Sequence, residues 1–423
     1  MDTHIQLSCD GSDRATAYSM SSKIVRRGDH LFVGWLDAPD ENTGQAGVMM
    51  GVCDIQTGAL LKTVQLGEGK DNHCGPALAL DGNGRLHALV GAHHDPFLYR
   101  WSDEPEEARS WSEPEPLGPK DTYPALIVDA EGTLHVAYRE YGDRWQLQYR
   151  RKRADAAWEA AVPMAVSPTP GYNHFMHDLT VGPTGTLHLT FHFYYAESGN
   201  SRDCLGRAAV HMQSSDGGDT WVNEGAIAPL PLTIETARTI VEGFDVPDYN
   251  MRVGNHVVDR DDHPWFYASM PDPPRGVLWR RTGKGWETFE LDRALPDLNL
   301  ADGKSTALSY DASGRFHILV STNPDGLEKP WYDTGHEVFY LVLESDGTVA
   351  EVKRMTDPDP DVARWLPSIE KWDWARPDAS CADGHWFTYT SGVNAGLISQ
   401  KDYNFAEKTQ IYLGKRPLGG FGT

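Results

Sequence analysis

A short turn-and-strand unit recurs along the chain and constrains its fold more than any other feature. In each copy a turn containing Gly or Asp precedes a strand-like segment that starts with an apolar residue or histidine, as in GRLH (84–87) and GTLH (132–135). Copies lie about 50 to 75 residues apart, which leaves room for roughly four short strands in each interval. The seven copies fall at residues 28–32, 84–87, 132–135, 185–188, 261–265, 314–317 and 383–386.

Seven four-stranded units predict an all-β, seven-bladed β-propeller. Radial repetition of such units leaves only short, protected strand edges. Helical signals are scarce, and 41 glycines and 27 prolines are spread along the 423 residues. Because all-β folds often exceed ~150 residues as one unit, residues 1–423 are expected to form a single propeller domain.

The segment SSDGGDTW (214–221) supports the same fold class. It fits the pattern S-x-D-x-G-x-T-W, the Asp-box turn of sialidase-like, BNR-type propellers. In this turn the Asp side chain caps backbone amides and the Trp packs between strands. The turn marks a fold and not a function. The strand histidines that recur in the units (His87, His135, His188, His317) are expected to be packing residues.

Charge and composition exclude several function classes. Lys and Arg total 38 against 61 Asp and Glu, a net charge of −23, which argues against nucleic acid or an anionic membrane as partner. No run of 18 apolar residues occurs, so no transmembrane helix is predicted. The first residues lack the pattern of a signal peptide, so a cytoplasmic location is expected, or a secreted or periplasmic one if a leader was removed. The five cysteines are scattered, which favours reduced thiols, and a monomer is expected.

Four residues in two adjacent units are candidates for chemistry. His73 and His93 flank a predicted hairpin whose turn contains Asn83-Gly84, so its outer ends bring the two histidines together. Tyr123 and Arg139 occupy nearly the same two places in the next unit. Adjacent blades would turn all four towards one face, near the axis.

This combination of residue types favours β-elimination from a uronic acid. No paired carboxylates occur at matching positions, and the nucleophile elbow, the P-loop and HExxH are absent from the sequence. Arginine can grip and neutralise a carboxylate, which helps removal of the adjacent C5 proton. Tyr or His can then serve as base and acid. A tyrosine base, with an ordinary pKa of about 10, needs nearby positive charge, and the assignment of base and acid stays open.

Residues 71–102 and 122–140 resemble the propeller polysaccharide lyases, namely the ulvan lyases of families 24 and 25 and the related rhamnose–glucuronate lyases. The resemblance covers roughly residues 15 to 290. It implies cleavage of the bond between L-rhamnose and O4 of D-glucuronate in an oligo- or polysaccharide, leaving a 4,5-unsaturated glucuronate. Carried over, the two histidines, the tyrosine and the arginine of the family site fall on His73, His93, Tyr123 and Arg139. No cofactor is needed for this catalysis, although related propellers can hold a structural calcium ion, for which the sequence offers no assignable ligand set.

Further residues are expected to contact the substrate. Arg252 is a candidate second ligand for a carboxylate or sugar. His174 precedes another predicted strand and is expected to line the same pocket. Strand alternation predicts that only one of His93 and His94 faces the site, and the spacing favours His93. The predicted substrate-binding set is Arg252, His94, His174, Asn72, Tyr249 and Asn255.

Three alternative functions use the same fold class. An α-L-rhamnosidase would hydrolyse the same linkage from the opposite face of a propeller. A sialidase would need three clustered arginines and a Tyr/Glu nucleophile pair, and the arginines here do not fall at matching sites in the units. A non-catalytic sugar-binding propeller would bind without the four candidate residues acting on the sugar.

Overall fold

The computed structural model describes residues 3–40, 43–103, 108, 110–271, 274–295, 298, 300, 306–323, 333–377, 381, 383–393 and 408–417. Strands dominate, and the described helices are the short α1 (Leu291–Ala294) and the 3-10 helix η1 (Ser201–Asp203). The all-β prediction is confirmed. Among the described residues, no helix is long and apolar enough to cross a membrane. The strands are β1 (Thr3–Gly11), β2 (Ile24–Arg27), β3 (His30–Pro39), β4 (Ala46–Asp54), β5 (Leu60–Gly69), β6 (Ala77–Leu80), β7 (Leu86–Val90), β8 (His93–Trp101), β9 (Glu115–Val128), β10 (Leu134–Glu140), β11 (Gln146–Lys152), β12 (Val162–Val166), β13 (His177–Val181), β14 (Leu187–Tyr195), β15 (Leu205–Ser214), β16 (Val222–Asn223), β17 (Ala226–Ile227), β18 (Thr239–Glu242), β19 (Arg252–Val258), β20 (Pro264–Pro271), β21 (Pro274–Thr282), β22 (Gly285–Glu290), β23 (Thr306–Tyr310), β24 (Phe316–Thr322), β25 (Glu337–Leu343), β26 (Val349–Arg354), β27 (Ala363–Ile369), β28 (Gly384–Gly392) and β29 (Thr409–Pro417).

The strands pair antiparallel in chain order, as expected for repeated hairpins. β19 to β22 and β23 to β26 each form a four-stranded sheet in sequence order. Elsewhere units join into longer sheets because one strand serves two neighbours. The long strand β9 pairs with β8 through residues 115–122 and with β10 through residues 121–128. The number of blades stays a prediction.

The first and last described strands lie side by side. β1 pairs antiparallel with β29, from Thr3 opposite Lys415 to Gly11 opposite Thr409. The residues that follow β1 are then fixed by the same sheet, because the Thr409 hydroxyl donates to the carbonyl of Ser12 at 2.7 Å. The indole of Trp365, on β27, donates to the carbonyl of Asp13 at 2.7 Å. β27 and β29 therefore position the segment between β1 and β2.

The recurring histidines have the structural role that the repeat predicts. Asp129 caps its turn by accepting from the amide of Thr133 at 2.8 Å. Its other oxygen lies 3.0 Å from Nε2 of His135, whose Nδ1 lies 2.7 Å from the Tyr149 hydroxyl. His135 therefore ties the turn to the next strand of its unit. His87 with Asp81 and His317 with Asp311 make the equivalent contact, whereas His188 contacts Asp262 in the turn of the following unit.

The Asp box adopts the predicted geometry. Asp216 accepts from the amide of Thr220 at 2.9 Å and from its hydroxyl at 2.6 Å. Trp221 is 2% exposed and packs edge-on against Tyr149, with ring centroids 5.1 Å apart. The turn is thus capped by the carboxylate and anchored by the indole.

Apolar side chains fill the space between neighbouring sheets. Phe32 and Met50 of one unit pack with Leu78 and Val90 of the next, and all four are fully buried. Burying one such side chain stabilises the fold by about 1.5–3 kcal/mol. This packing holds adjacent units in fixed orientation, so residues at equivalent strand ends face a common cavity.

Candidate active site

A cavity of about 870 Å³ opens where several inner strands begin. The residues preceding β6 and β13, the middle of β9 and the start of β19 all reach it, together with the segment between β1 and β2. His73, His93, Tyr123 and Arg139 all line this cavity, although their catalytic roles stay predictions. Its other lining residues include Arg14, Tyr18, His94, Tyr141, Asp143, Trp145, Tyr172, His174, Tyr194 and Arg252.

Asp71 bridges the two predicted histidines. Its side chain accepts from the amide of His73 at 2.9 Å, which makes the polar turn before β6 an Asx turn. One carboxylate oxygen lies 3.0 Å from Nδ1 of His73, and the other is hydrogen-bonded to Nδ1 of His93. Burial opposes ionisation of Asp71, but the hydrogen bonds and charges of both histidines outweigh it and hold the pKa of its carboxyl below the usual range. Asp71 therefore stays ionised and orients both rings.

Arg14 fixes the protonation state of His73. Its Nη1, which can only donate, lies 2.8 Å from Nε2 of His73, so Nε2 accepts and the ring proton is on Nδ1. Burial, with the charges of Arg14 and His93, holds the pKa of His73 well below its usual range. His73 is therefore neutral, both of its ring nitrogens are hydrogen-bonded, and it holds Arg14 in place.

His93 has one ring nitrogen engaged and the other available. Nδ1 donates to Asp71, and Nε2 has no hydrogen-bond partner among the described residues. Burial lowers the pKa of His93, while Asp71 opposes the shift. A neutral imidazole with an unprotonated Nε2 at a cavity wall can accept a proton from a ligand.

A β-bulge directs Tyr123 into the cavity. β9 and β10 pair regularly from Leu134 to Ala137, and the register shifts before Arg139, which lies opposite Thr122. Tyr123 in the bulge has a φ of 62°, a left-handed conformation that is unusual for an aromatic residue. Bulges of this kind re-aim side chains and store strain beside functional sites.

A second bulge corrects the expectation that strand alternation would exclude one histidine of the doublet. The register between β8 and β9 shifts between His93 and Asp95, and His94 has a φ of 64°. Alternation is broken at this point, so both histidines line the cavity. His94 packs against Tyr141 and Trp145 at 4.9 and 5.1 Å, and burial and the charge of His93 lower its pKa to about 3.

Tyr123 is hydrogen-bonded to a second tyrosine. The rings of Tyr18 and Tyr123 lie 4.4 Å apart and their hydroxyls share a hydrogen bond. Arg14 donates to the Tyr18 hydroxyl at 2.6 Å. Burial raises the pKa of Tyr123, and the charges of Arg139 and Arg14 only partly oppose it. Tyr123 is therefore protonated in the unliganded protein.

Arg139 is held by aromatic rings instead of by a carboxylate. The guanidinium carbon lies 4.4 Å from the ring centre of Tyr123, 4.6 Å from that of Trp145 and 5.3 Å from that of Tyr172. The side chain is 1% exposed, and its Nε has no hydrogen-bond partner among the described residues. No ion pair to a described residue neutralises it. A buried, unpaired guanidinium of this kind favours an anionic ligand.

The cavity is cationic although the chain is acidic. Arg14, Arg139 and Arg252 all line it, and Asp143 is the single carboxylate among its described lining residues. These three arginines therefore meet at one cavity, although they do not occupy matching places in their units. Arg14 precedes β2, Arg139 lies near the end of β10 and Arg252 begins β19. A sialidase would also require a Tyr/Glu pair, and no glutamate is found among the described lining residues.

Three of the predicted substrate-binding residues line the cavity and three do not. Arg252, His94 and His174 line it, and the rings of His174 and Tyr123 lie 5.2 Å apart. The remaining three have contacts elsewhere in the fold. Asn72 donates to Asp13 at 2.8 Å, Tyr249 packs beside the cluster containing Met251, and Asn255 is hydrogen-bonded to both backbone groups of Leu308.

Sequence reasoning missed Arg14 and Tyr18. They precede β2 in the first unit, in a place comparable to those of His73 before β6 and His174 before β13. Their position just before a strand of a repeat unit was the signal that could have identified them. It was hard to recognise from the sequence because the preceding strand β1 pairs with β29, which lies far away in the sequence.

Two groups of described residues have ligand atoms close enough to hold a metal ion: Asp71 with His73 and His93, and Asp259 with Asp261 and His263. In the first group both Nδ1 atoms already bind the Asp71 carboxylate. In the second group Asp259 caps its turn by accepting from the amides of Asp261 and His263 at 2.9 Å. Both groups therefore have internal hydrogen bonds that explain their arrangement.

Comparison with known families identifies the class of protein. A family model described as "BNR repeat-containing family member" matches residues 30–294. This match spans more than half of the chain, so the chain belongs to the BNR repeat-containing family. A comparison with curated proteins finds no significant match.

Solved structures share the fold at low sequence identity. An ulvan lyase described as polysaccharide lyase PL25, bound to -[GlcA(1-4)Rha3S]-, is similar with a TM-score of 0.70 and 14% identity, over 92% of this chain and 93% of that one. The polysaccharide lyase Uly1 gives a TM-score of 0.59 at 13% identity, over 98% and 99%. The BP39L lectin from Burkholderia pseudomallei gives 0.54 at 12% identity, over 90% and 98%. The predicted resemblance to the propeller lyases is confirmed in its fold, which is a BNR-type β-propeller.

Proposed function

We propose that this protein is a lyase that cleaves the L-rhamnose-(1→4)-D-glucuronate linkage of an oligo- or polysaccharide by β-elimination. A base removes the C5 proton of the glucuronate, the C4–C5 double bond forms, and the C4–O4 bond breaks. O4 leaves with the rhamnose and takes a proton from an acid. The products are a 4,5-unsaturated glucuronate and a chain that ends in rhamnose.

The observation that carries this proposal is that Arg139 has no ion-pair partner among the described residues and lines the same cavity as the candidate acid and base residues. A substrate carboxylate placed on its guanidinium would replace the missing ion-pair partner. Removal of the C5 proton develops further negative charge on that carboxylate, and a desolvated guanidinium stabilises this charge strongly. The aromatic rings around Arg139 exclude water and hold its position.

His93 is the proposed base. Its Nε2 has a lone pair, because Nδ1 carries the proton that is donated to Asp71. When Nε2 takes the C5 proton, the ring becomes an imidazolium, and the adjacent Asp71 carboxylate stabilises that charge. The low pKa of His93 keeps it unprotonated at neutral pH, ready to act.

Tyr123 is the proposed acid. Its raised pKa keeps the hydroxyl protonated until O4 departs. The phenolate that then forms lies beside Arg139 and is hydrogen-bonded to Tyr18, whose own hydroxyl is bound by Arg14. His73 is a positioning residue in this scheme, since Nε2 is committed to Arg14.

The comparisons support a carbohydrate as ligand. The PL25 ulvan lyase with the same fold was solved with a glucuronate–rhamnose oligosaccharide. A lectin also shares the fold, which is why a non-catalytic sugar-binding role stays an alternative. Against hydrolysis at this cavity, Asp143 is the one carboxylate among the described lining residues, whereas a two-carboxylate glycosidase needs a pair.

The test is near-ultraviolet absorbance of the protein with rhamnose–glucuronate oligosaccharides, alongside Tyr123→Phe. We expect absorbance to rise as the double bond forms, and the rate to fall by about 10²- to 10⁴-fold in the variant, the usual contribution of an acid or base. Oligosaccharide binding should persist. Reducing sugar released without absorbance would mean hydrolysis and overturn the proposal. Binding without either change would indicate a lectin.

A further inference from the structure

We propose that Arg252 and Tyr194 form a second anion-binding subsite, which recognises a negatively charged group on a sugar neighbouring the cleaved glucuronate. This inference rests on the proposed function, because it concerns the same cavity. The substrate class it defines is an oligosaccharide with at least two anionic groups. The second group is a sulfate ester or the carboxylate of another uronic acid.

Arg252 presents its charge to the cavity without a protein anion. Its guanidinium carbon lies 4.2 Å from the ring centre of Tyr194, and both residues line the cavity. Within the described part of the chain Arg252 makes no ion pair with a carboxylate. Arg252 is half-buried, so its guanidinium is open to the cavity and available to bind an anionic ligand.

An aromatic floor separates this charge from Arg139. Tyr172 lies 5.3 Å from the guanidinium of Arg139, and its ring stacks with that of His174 at 6.4 Å. The ring of His174 lies 5.8 Å from the ring of Tyr194, and the guanidinium of Arg252 lies over the ring of Tyr194. A chain of ring contacts therefore connects the two guanidinium groups, and aromatic rings are surfaces on which sugars can stack.

The planar guanidinium fits both candidate anions. Its parallel N–H groups match two oxygens of a carboxylate or of a sulfate ester. Arg14 does not provide this subsite, because its Nη1 is committed to Tyr18 and His73. Of the three cavity arginines, Arg139 serves the reacting carboxylate and Arg252 is left for the second anion.

The experiment compares four oligosaccharides that share the cleavable linkage. In the first, the neighbouring sugar carries a sulfate ester, and in the second it carries a uronate carboxylate. In the third, that carboxylate has been reduced to an alcohol. In the fourth, the neighbouring sugar has neither a sulfate nor a carboxyl group. We expect Arg252→Met to lower kcat/KM about 10- to 100-fold on the anionic substrate that the subsite prefers, the loss typical of a charged hydrogen bond. It should leave kcat/KM within about twofold of wild type on the two substrates whose neighbouring sugar has no charge. The anionic substrate on which Arg252→Met loses activity shows whether the subsite binds a sulfate or a carboxylate.

Controls separate this subsite from folding and from the reaction. Arg293→Met removes an arginine whose side chain is 82% exposed, and it should leave kcat/KM unchanged on all four substrates. Arg252→Lys, which keeps the charge, should restore part of the loss. Calorimetric binding of the same oligosaccharides tests the subsite even if no double bond forms, in which case only the proposed function fails. Equal losses on all four substrates, or unchanged affinity for both anionic ones, would overturn the inference.

Discussion

The hydroxyl of Tyr18 lies between the hydroxyl of Tyr123 and the guanidinium of Arg14. Arg14 donates to Tyr18 at 2.6 Å, and the rings of Tyr18 and Tyr123 are 4.4 Å apart. Burial and Tyr18 raise the pKa of Tyr123, and the charges of Arg139 and Arg14 only partly oppose them, so Tyr123 keeps its proton in the unliganded protein. In the proposed reaction the Tyr18 hydroxyl, held by Arg14, is placed to donate to the phenolate once O4 has taken that proton.

Tyr18→Phe should reduce the turnover rate without weakening binding. It removes the hydroxyl that is placed to donate to the Tyr123 phenolate after O4 has taken the proton. A hydrogen bond to a charged group contributes about 1.5–3 kcal/mol, or roughly 10- to 100-fold in kcat. KM should stay near the wild-type value. Tyr412→Phe is the matched control, since its hydroxyl binds Gln410 on an exposed part of β29. A change in KM with kcat intact would argue against this role.

Asp71→Asn should reduce activity and also shift the pH profile. The carboxylate raises the pKa of His93 against the effect of burial, so its loss lowers that pKa further. The acid limb of kcat/KM should then move to lower pH while the plateau falls by about 10²-fold, because the imidazolium loses its partner. Full pH–rate profiles of both proteins measure this. A limb that moves to higher pH would contradict the assignment of His93 as base.

The wild-type pH profile should be broad. The proposed mechanism needs neutral His93, whose pKa is below its ordinary value of about 6.5, and protonated Tyr123, whose pKa is above its ordinary value of about 10. Activity should therefore be nearly constant through neutral pH, fall on the acid side of about 6.5, and fall at alkaline pH only above about 10. If Tyr123 were instead the base, the rate would keep rising with pH, and steady-state rates across the range distinguish the two.

Asp121→Asn should stabilise the protein at alkaline pH. Asp121 is fully buried, both carboxylate oxygens have no hydrogen-bond partner among the described residues, and burial with nearby Glu140 raises its pKa to about 8. A raised carboxyl pKa contributes stability at low pH, and this contribution is lost as pH rises through the folded value. Asparagine resembles the neutral acid and has no such loss.

Thermal unfolding at several pH values tests that expectation. The melting temperature of Asp121→Asn relative to wild type should increase between about pH 4, the ordinary carboxyl pKa, and about pH 8, the raised pKa of Asp121. Asp346→Asn, at an exposed turn, is a control that should show no such increase. A difference that is constant across this range would mean that Asp121 is already ionised in the folded protein.

The candidate residues could be predicted because the repeat places them at equivalent strand ends. His73 and His93 flank one hairpin, and Tyr123 and Arg139 flank the next, so packing of adjacent units brings them to one cavity. The Asp box and the strand histidines were predictable for the same reason. Each is a local pattern of turn and strand that needs no knowledge of distant contacts.

The remaining features depend on backbone irregularity and long-range closure. The bulges at His94 and Tyr123 reverse the strand alternation, and neither residue type signals a positive φ. Asn255 illustrates the opposite failure, because a polar residue at a strand start can tie two sheets together through Leu308 and never reach the cavity. Sequence periodicity contains no information on either outcome.

The pairing of β1 with β29 makes the cavity depend on contacts between residues that are far apart in the sequence. Thr409, whose hydroxyl binds the carbonyl of Ser12, lies 397 positions after it. The segment that contains Arg14 and Tyr18 is therefore held in place only while these two strands are paired. Loss of that pairing would disturb the cavity even with every lining residue unchanged, so the proposed activity would also report closure of the sheet.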